Sequence, residues 1–124
     1  MKLLLDTHPL LWWLDETPMS RRAHAAIVDP AVSVLVSAAS IWEIAIKQKI
    51  GKLEVDGRVI DQTERHGFDP LPISFMHAES AGRLPLHHKD PFDRLLVAQA
   101  QLEGLTIVTR DRTFDAYDVQ VLRC

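Results

Sequence analysis

The chain has 124 residues and a mass of 14.0 kDa, enough for one hydrophobic core and too little for two ordinary domains, so a single domain over 1–124 is expected. With 47% hydrophobic and 25% charged residues, and apolar runs far short of the roughly 20 residues that a membrane helix needs, the composition describes a soluble globular protein. A formal net charge of -3 does not advertise a nucleic-acid binder, so contact with phosphates must rest on local patches; the lone Cys124 excludes an internal disulfide or a zinc motif, and an opening that meets acid at Asp6 is too short for a signal peptide, which together predict a cytoplasmic protein.

Lys2 to Leu5 reads as a short buried strand that delivers Asp6 at its tip, and Thr7 or His8 then caps a helix through Trp13. Residues 18–28 read as a helix stopped by Asp29-Pro30, and Val32 to Val36 as a second strand. A helix opening at Ser37 or Ser40 carries Ile41, Trp42, Ile44, Ala45 and Ile46 and ends at Gly51. Between turns at Asp56-Gly57 and Asp69-Pro70 a short helix is expected over Val59 to Arg65, followed by a short strand over Leu71 to Ile73. A helix over Phe75 to Arg83 and a polar loop, Leu86-His87-His88-Lys89, lead to Asp90-Pro91, a strong helix start. That helix runs to Glu103 and Gly104 ends it; strands follow at Leu105 to Thr109 and Val119 to Leu122. The alternation predicts an α/β fold with a mostly parallel sheet and helices on both faces.

Four acids, Asp6, Glu43, Asp93 and Asp111, each stand in or at the end of an apolar segment. A carboxylate beside a hydrophobic run costs several kcal/mol to desolvate unless a partner or cation compensates it, so four cases in one small chain suggest convergence on a cation. Each also has a plainer reading. Asp6 can be an N-cap, worth about 1 kcal/mol. Glu43 can pair with Lys47 on a solvated face, worth about 0.3–0.5 kcal/mol, although the apolar pattern around it leaves only a narrow polar stripe. Asp90 caps the helix that begins at Pro91, with Asp93 in the first turn where the helix dipole favours a carboxylate; Asp111 can serve as a turn or cap before Phe114.

The order of these acids resembles the PIN-domain family and, within it, VapC-type toxins of toxin–antitoxin pairs. The resemblance runs over the whole chain through LLLDTHPLLWWL, SAASIWEIAIKQKIGKL, LPLHHKDPFDRLLVAQAQLEGL and TIVTRDRTFDAYDV. It implies an α/β/α sandwich in which Asp6, Glu43, Asp93 and Asp111 are the catalytic carboxylates and hold one or two Mg²⁺ or Mn²⁺ ions. It further implies an endoribonuclease that hydrolyses RNA with metal-activated water, leaving a 5′-phosphate and a 3′-hydroxyl. Asp90 and Thr109 match positions beside the site and help place the helix start and an acid or metal-bound water. Oxygen ligands suit Mg²⁺, and neither a Ser-His pair nor a cysteine nucleophile is needed.

Cations must guide RNA past the acids, and Arg94, Arg110, Arg112, Lys47, Lys49 and Lys52 are candidates; Arg94 is favoured, since it follows Asp93 directly and the resemblance places it near the site. His87 and His88 have no second ligand at useful spacing and read as RNA or antitoxin contacts. Trp12, Trp13 and Trp42 read as core or interface rather than base-stacking residues. Leu10 to Leu14 make a wider apolar band than one short helix needs, which suggests a partner surface. The resemblance implies a homodimer that binds a VapB-type antitoxin. The alternative is a catalytically silent PIN-fold scaffold that binds RNA or protein; a phosphoacceptor domain would need a second acid that Asp6-Thr7-His8 lacks.

Overall fold

A computed structural model describes all residues from Met1 to Cys124. Five strands, β1 (Lys2–Leu5), β2 (Ser33–Ser37), β3 (Asp69–Leu71), β4 (Thr106–Thr109) and β5 (Gln120–Arg123), form one sheet in the order β3-β2-β1-β4-β5. Every pairing is parallel. Six helices connect them: α1 (Thr7–Leu14), α2 (Arg21–Val28), α3 (Ala38–Lys49), α4 (Val59–Arg65), α5 (Phe75–Arg83) and α6 (Pro91–Glu103), with a 3₁₀ turn over Arg112–Ala116. The α/β class and the parallel sheet agree with the sequence reading.

Successive side chains of a strand point to opposite faces, and this explains the uninterrupted apolar runs. In β1, Leu3 and Leu5 join a core with Val34, Val36, Ile27, Ile44 and Leu10, while Leu4 joins a second core with Leu96, Val97, Ile107 and Phe114. Val108 and Ile107 divide in the same way in β4. All three β1 leucines are fully buried, and each such side chain contributes about 2 kcal/mol of transfer free energy. The sheet is thus covered on both sides, with α6 on the face of the second core and α5 against α6.

Boundaries move where local chemistry was ambiguous. β3 lies at Asp69–Leu71 rather than Leu71 to Ile73, because Pro70, which removes a ladder donor, is tolerated on an edge strand. Asp6, not Thr7 or His8, caps α1: its side chain accepts from the Thr7 amide. Ser37 caps α3, and α6 ends at Gly104 in the left-handed conformation (φ 67°) that glycine adopts without strain. The band at Leu10 to Leu14, expected as a partner surface, is less open than the sequence suggests, although all of it beyond Leu10 stays half-buried. Leu10 is fully buried and Leu11, Trp12, Trp13 and Leu14 pack against the first core, because α1 lies directly over it. Trp42 on α3, by contrast, is 59% exposed.

Strand order reverses between β1 and β4, since β2 and β3 lie on one side of β1 and β4 and β5 on the other. The carboxyl ends of β1 and β4 therefore flank the crevice where ligands bind in open parallel sheets.

Candidate active site

Each of the four acids arrives on a different element, and all four line one pocket of about 400 Å³ above the ends of β1 and β4. Asp6 follows β1 and is buried; Oδ1 accepts from the Thr7 amide at 2.8 Å and Oδ2 from the Thr109 hydroxyl at 2.8 Å. Thr109 Oγ1 in turn accepts from the Asp111 amide at 2.9 Å, so one hydroxyl at the end of β4 ties two acids together. Glu43 projects from α3 and is buried. Its Oε1 accepts from the Thr7 hydroxyl at 2.6 Å, and its Oε2 pairs with Lys47 Nζ at 2.9 Å. Ser40 Oγ lies 3.1 Å from Thr7 Oγ1. Thr7 and Ser40 thus position Glu43, a part the sequence analysis did not assign them; the adjacency of a hydroxyl residue to Asp6 was the available signal.

Asp90 caps α6, accepting from the Phe92 amide at 2.8 Å and the Asp93 amide at 3.4 Å, and also lines the pocket. Asp93 enters from the first turn of α6, and Asp111 follows β4 and caps the 3₁₀ turn through the Thr113 amide at 2.9 Å. The plainer readings of Asp6, Glu43 and Asp111 as two caps and an ion pair are therefore true as well. They hold the carboxylates in place without removing them from the pocket.

Electrostatics separate the acids. Burial, with the charges of Asp6, Asp90, Glu43 and Asp111, pushes Asp93 up to about 8 from its ordinary 3.8. Burial also raises Asp6, against the opposing hydrogen bonds from Thr109 and Thr7. Burial would raise Asp111 too, but the Thr113 amide and hydroxyl and the His88 ring outweigh it and hold that carboxyl below the usual range. A divalent cation reverses the repulsion that raises Asp93, and a donor set dominated by carboxylate oxygens fits Mg²⁺ or Mn²⁺.

Two expectations are corrected. Arg94 does not face the pocket: it is buried, and its guanidinium donates to the carbonyls of Ala81 at 2.8 Å, Leu84 at 3.2 Å, Gly82 at 3.4 Å and Pro85 at 3.4 Å. It ties the start of α6 to the end of α5. His88, read from sequence as lacking a second ligand, stands inside the cluster, with Nε2 2.8 Å from Asp93 and 2.9 Å from Asp111. His87 is exposed, edge-on to Tyr117. Among the other cations, Arg110 lines the pocket, its Cζ 4.1 Å from the centre of the Trp12 ring and its Nη2 donating to Pro18 O at 3.1 Å. Lys47 lines it while paired with Glu43, whereas Arg112, Lys49 and Lys52 are exposed outside its lining.

A larger concavity of about 620 Å³ lies on the other side of α3, lined by Ile41, Trp42, Ala45, Ile60, Phe68 and Leu71 among others. It contains none of the four acids. No helix is long and apolar enough to cross a membrane.

The family model of the PIN domain matches residues 3–120. The chain is 26% identical over 113 residues to Ribonuclease VapC22 of Mycobacterium tuberculosis, a match covering 89% of this chain and 87% of that protein. Among solved structures it resembles VapBC2 from Rickettsia felis bound to a fragment of promoter DNA, with a TM-score of 0.75, 14% identity, and coverage of 99% of this chain and 98% of that one. It also resembles FitAcB from Neisseria gonorrhoeae, with a TM-score of 0.63, 23% identity, and coverage of 97% and 96%.

Proposed function

This chain belongs to the PIN-domain family, and on that premise we propose that it is a divalent-metal-dependent endoribonuclease acting as the toxin of a toxin–antitoxin pair. The observation that carries the reading is the convergence of Asp6, Glu43, Asp93 and Asp111 from four separate elements into one pocket at the switch point of the sheet. The similarity to a protein named Ribonuclease VapC22 supports the nuclease class.

Asp6, Glu43, Asp93 and Asp111 would hold Mg²⁺ or Mn²⁺, which supplies activation of water and neutralisation of charge at the phosphodiester. The remaining work falls to the protein. Thr109 and the Thr7 amide fix the plane of the Asp6 carboxylate, and the Thr7 hydroxyl with Lys47 fixes that of Glu43. Arg110 is the basic side chain at the pocket with no carboxylate partner among the ion pairs. Stacked on Trp12 and anchored on Pro18 O, it keeps donors available for the phosphate backbone that the acids would otherwise repel.

The apolar groove beside α3, with Trp42 exposed at its edge, provides a surface for a VapB-type antitoxin or a second copy of the chain. Several neighbours in fold are toxin–antitoxin complexes, which supports a hetero-oligomer. Action on cellular RNA in the cytoplasm follows from this role.

The deciding experiment is cleavage of a labelled total-RNA pool by purified protein with Mg²⁺ or Mn²⁺, with EDTA, and with Asp6→Asn. Discrete products that vanish with chelator and with the variant are expected. Metal-bound protein, free of any copurifying antitoxin, that cleaves nothing would count against the nuclease and favour a binding scaffold.

A further inference from the structure

One side chain reaches the acids that the four-carboxylate pattern does not account for. His88, in the loop between α5 and α6, presents Nε2 at 2.8 Å from Asp93 Oδ2 and 2.9 Å from Asp111 Oδ2. The three ligand-type atoms lie within 4.8 Å of one another. Neighbouring ligand atoms around an octahedral ion with arms of 2.0–2.1 Å stand roughly 2.9 Å apart, so the imidazole already sits at the spacing of a coordination edge to each carboxylate.

The ring is held there from several sides. Its side chain is 16% exposed, and it lies edge-on to the buried Phe114 at 5.7 Å between centroids. The His88 amide donates to the Tyr117 hydroxyl at 2.9 Å, and that hydroxyl donates to Pro85 O at 2.7 Å. Two positions of the loop are thus pinned to one buried tyrosine.

We propose that His88 is a direct ligand of the cation through Nε2, which makes the centre a mixed nitrogen and oxygen site rather than one built of carboxylates alone. The inference rests on reading the pocket as a divalent-metal site. Ligation takes the neutral ring with its proton on Nδ1, so the 3.3 Å contact from the Asp90 amide is given up and the metal replaces the Nε2 proton that otherwise bridges to Asp93 and Asp111. Because Mg²⁺ keeps to oxygen ligands and gives up water reluctantly, whereas Mn²⁺ takes the same carboxylates and, as a transition ion, also accepts a ring nitrogen, an imidazole in the set shifts preference from Mg²⁺ towards Mn²⁺.

Mn²⁺ titration of the full chain, followed by electron spin resonance and spin-echo modulation from ¹⁴N, tests this without recourse to activity. The bound ion in the parent protein is expected to show coupling to a ring nitrogen. His88→Ala loses that coupling and binds Mn²⁺ about tenfold or more weakly, while its Mg²⁺ affinity changes much less. His88→Gln, checked for fold by its melting curve, loses the coupling too and stands in if the alanine variant does not fold. Stoichiometric Mn²⁺ with no ¹⁴N coupling overturns the proposal, as does coupling that persists in His88→Ala, which would point to His8 at the same pocket. Asp93→Asn separates the two levels. If it binds Mn²⁺ like the parent, or if the parent binds none, the metal-site reading itself fails; if Asp93→Asn loses the ion and His88→Ala keeps it unchanged, only the role of His88 fails.

Discussion

Helix α3 borders two concavities of opposite character. Glu43 is buried toward the acid pocket, whereas Trp42, one residue earlier, is exposed at the edge of an apolar groove. Adjacent helical residues point about 100° apart, so one helix can serve a polar site and an apolar surface at once. The difference lies in how each region is built. Each of the four acids is held by a hydrogen bond, a cap or a pair, through Thr7, Thr109, Thr113, Lys47 or His88. In the groove, the Trp42 ring meets Phe92 edge-on at 5.2 Å. Pre-organisation suits a pocket where charge must stand at fixed positions, and an adaptable apolar surface suits association.

Substitutions that touch one region and spare the other sharpen this contrast. The largest effect is expected from Asp93→Asn or Asp6→Asn, which should lower the rate of RNA cleavage by about 10³-fold or more while the fold is kept, as read from initial rates and circular dichroism. Cleavage at the parent rate by both variants would break the assignment. Arg94→Ala should cost about 2–4 kcal/mol in urea unfolding, because it removes a buried charged donor shared by the carbonyls at the end of α5 and the loop after it. Arg94→Ala that unfolds like the parent would contradict the bracing role. Trp42→Ala should leave cleavage intact and weaken association with a cognate antitoxin by about 2 kcal/mol, measured by calorimetry. An equal loss of cleavage would merge the two regions.

The smallest and most specific expectation concerns pH. Asp93 is raised to about 8 from 3.8, so between those values the folded protein binds more protons than the unfolded chain. Stability in chelator therefore falls as pH rises through that window, and Asp93→Asn should melt higher than the parent near the top of it. An entering cation must expel that proton, so Mn²⁺ affinity should rise with pH, by at most about tenfold per unit, and level off near 8. An affinity independent of pH below 8 would show that Asp93 is not the group displaced.

The acids were legible because a carboxylate at the end of an apolar strand has few ordinary explanations, and the strand–helix alternation around them sufficed for the sheet. Failures occurred where spacing in sequence is a poor guide to spacing in space. His88 meets partners 5 and 23 residues away through a loop, a pattern that no helical or strand period reveals. Arg94 was assigned to the site for its adjacency to Asp93, yet adjacency on a helix means divergence. Trp42 and the Leu10 to Leu14 band were both apolar in sequence, and only the placement of α1 over the first core decides which is covered. β3 slipped by two residues because a proline inside a strand is acceptable only once the strand is known to lie at an edge.

That edge has a further consequence. β3 is three residues long, carries a proline in its middle and begins with the charged Asp69, so it offers at most two amide donors to a newcomer. The sheet cannot readily recruit another strand there, either from a sister molecule during crowded synthesis or from an extended ligand. Because Pro70, Leu71 and Pro72 also form one wall of the apolar groove, a segment settling beside them finds few backbone partners there, which favours one that satisfies its own backbone, as a helix does.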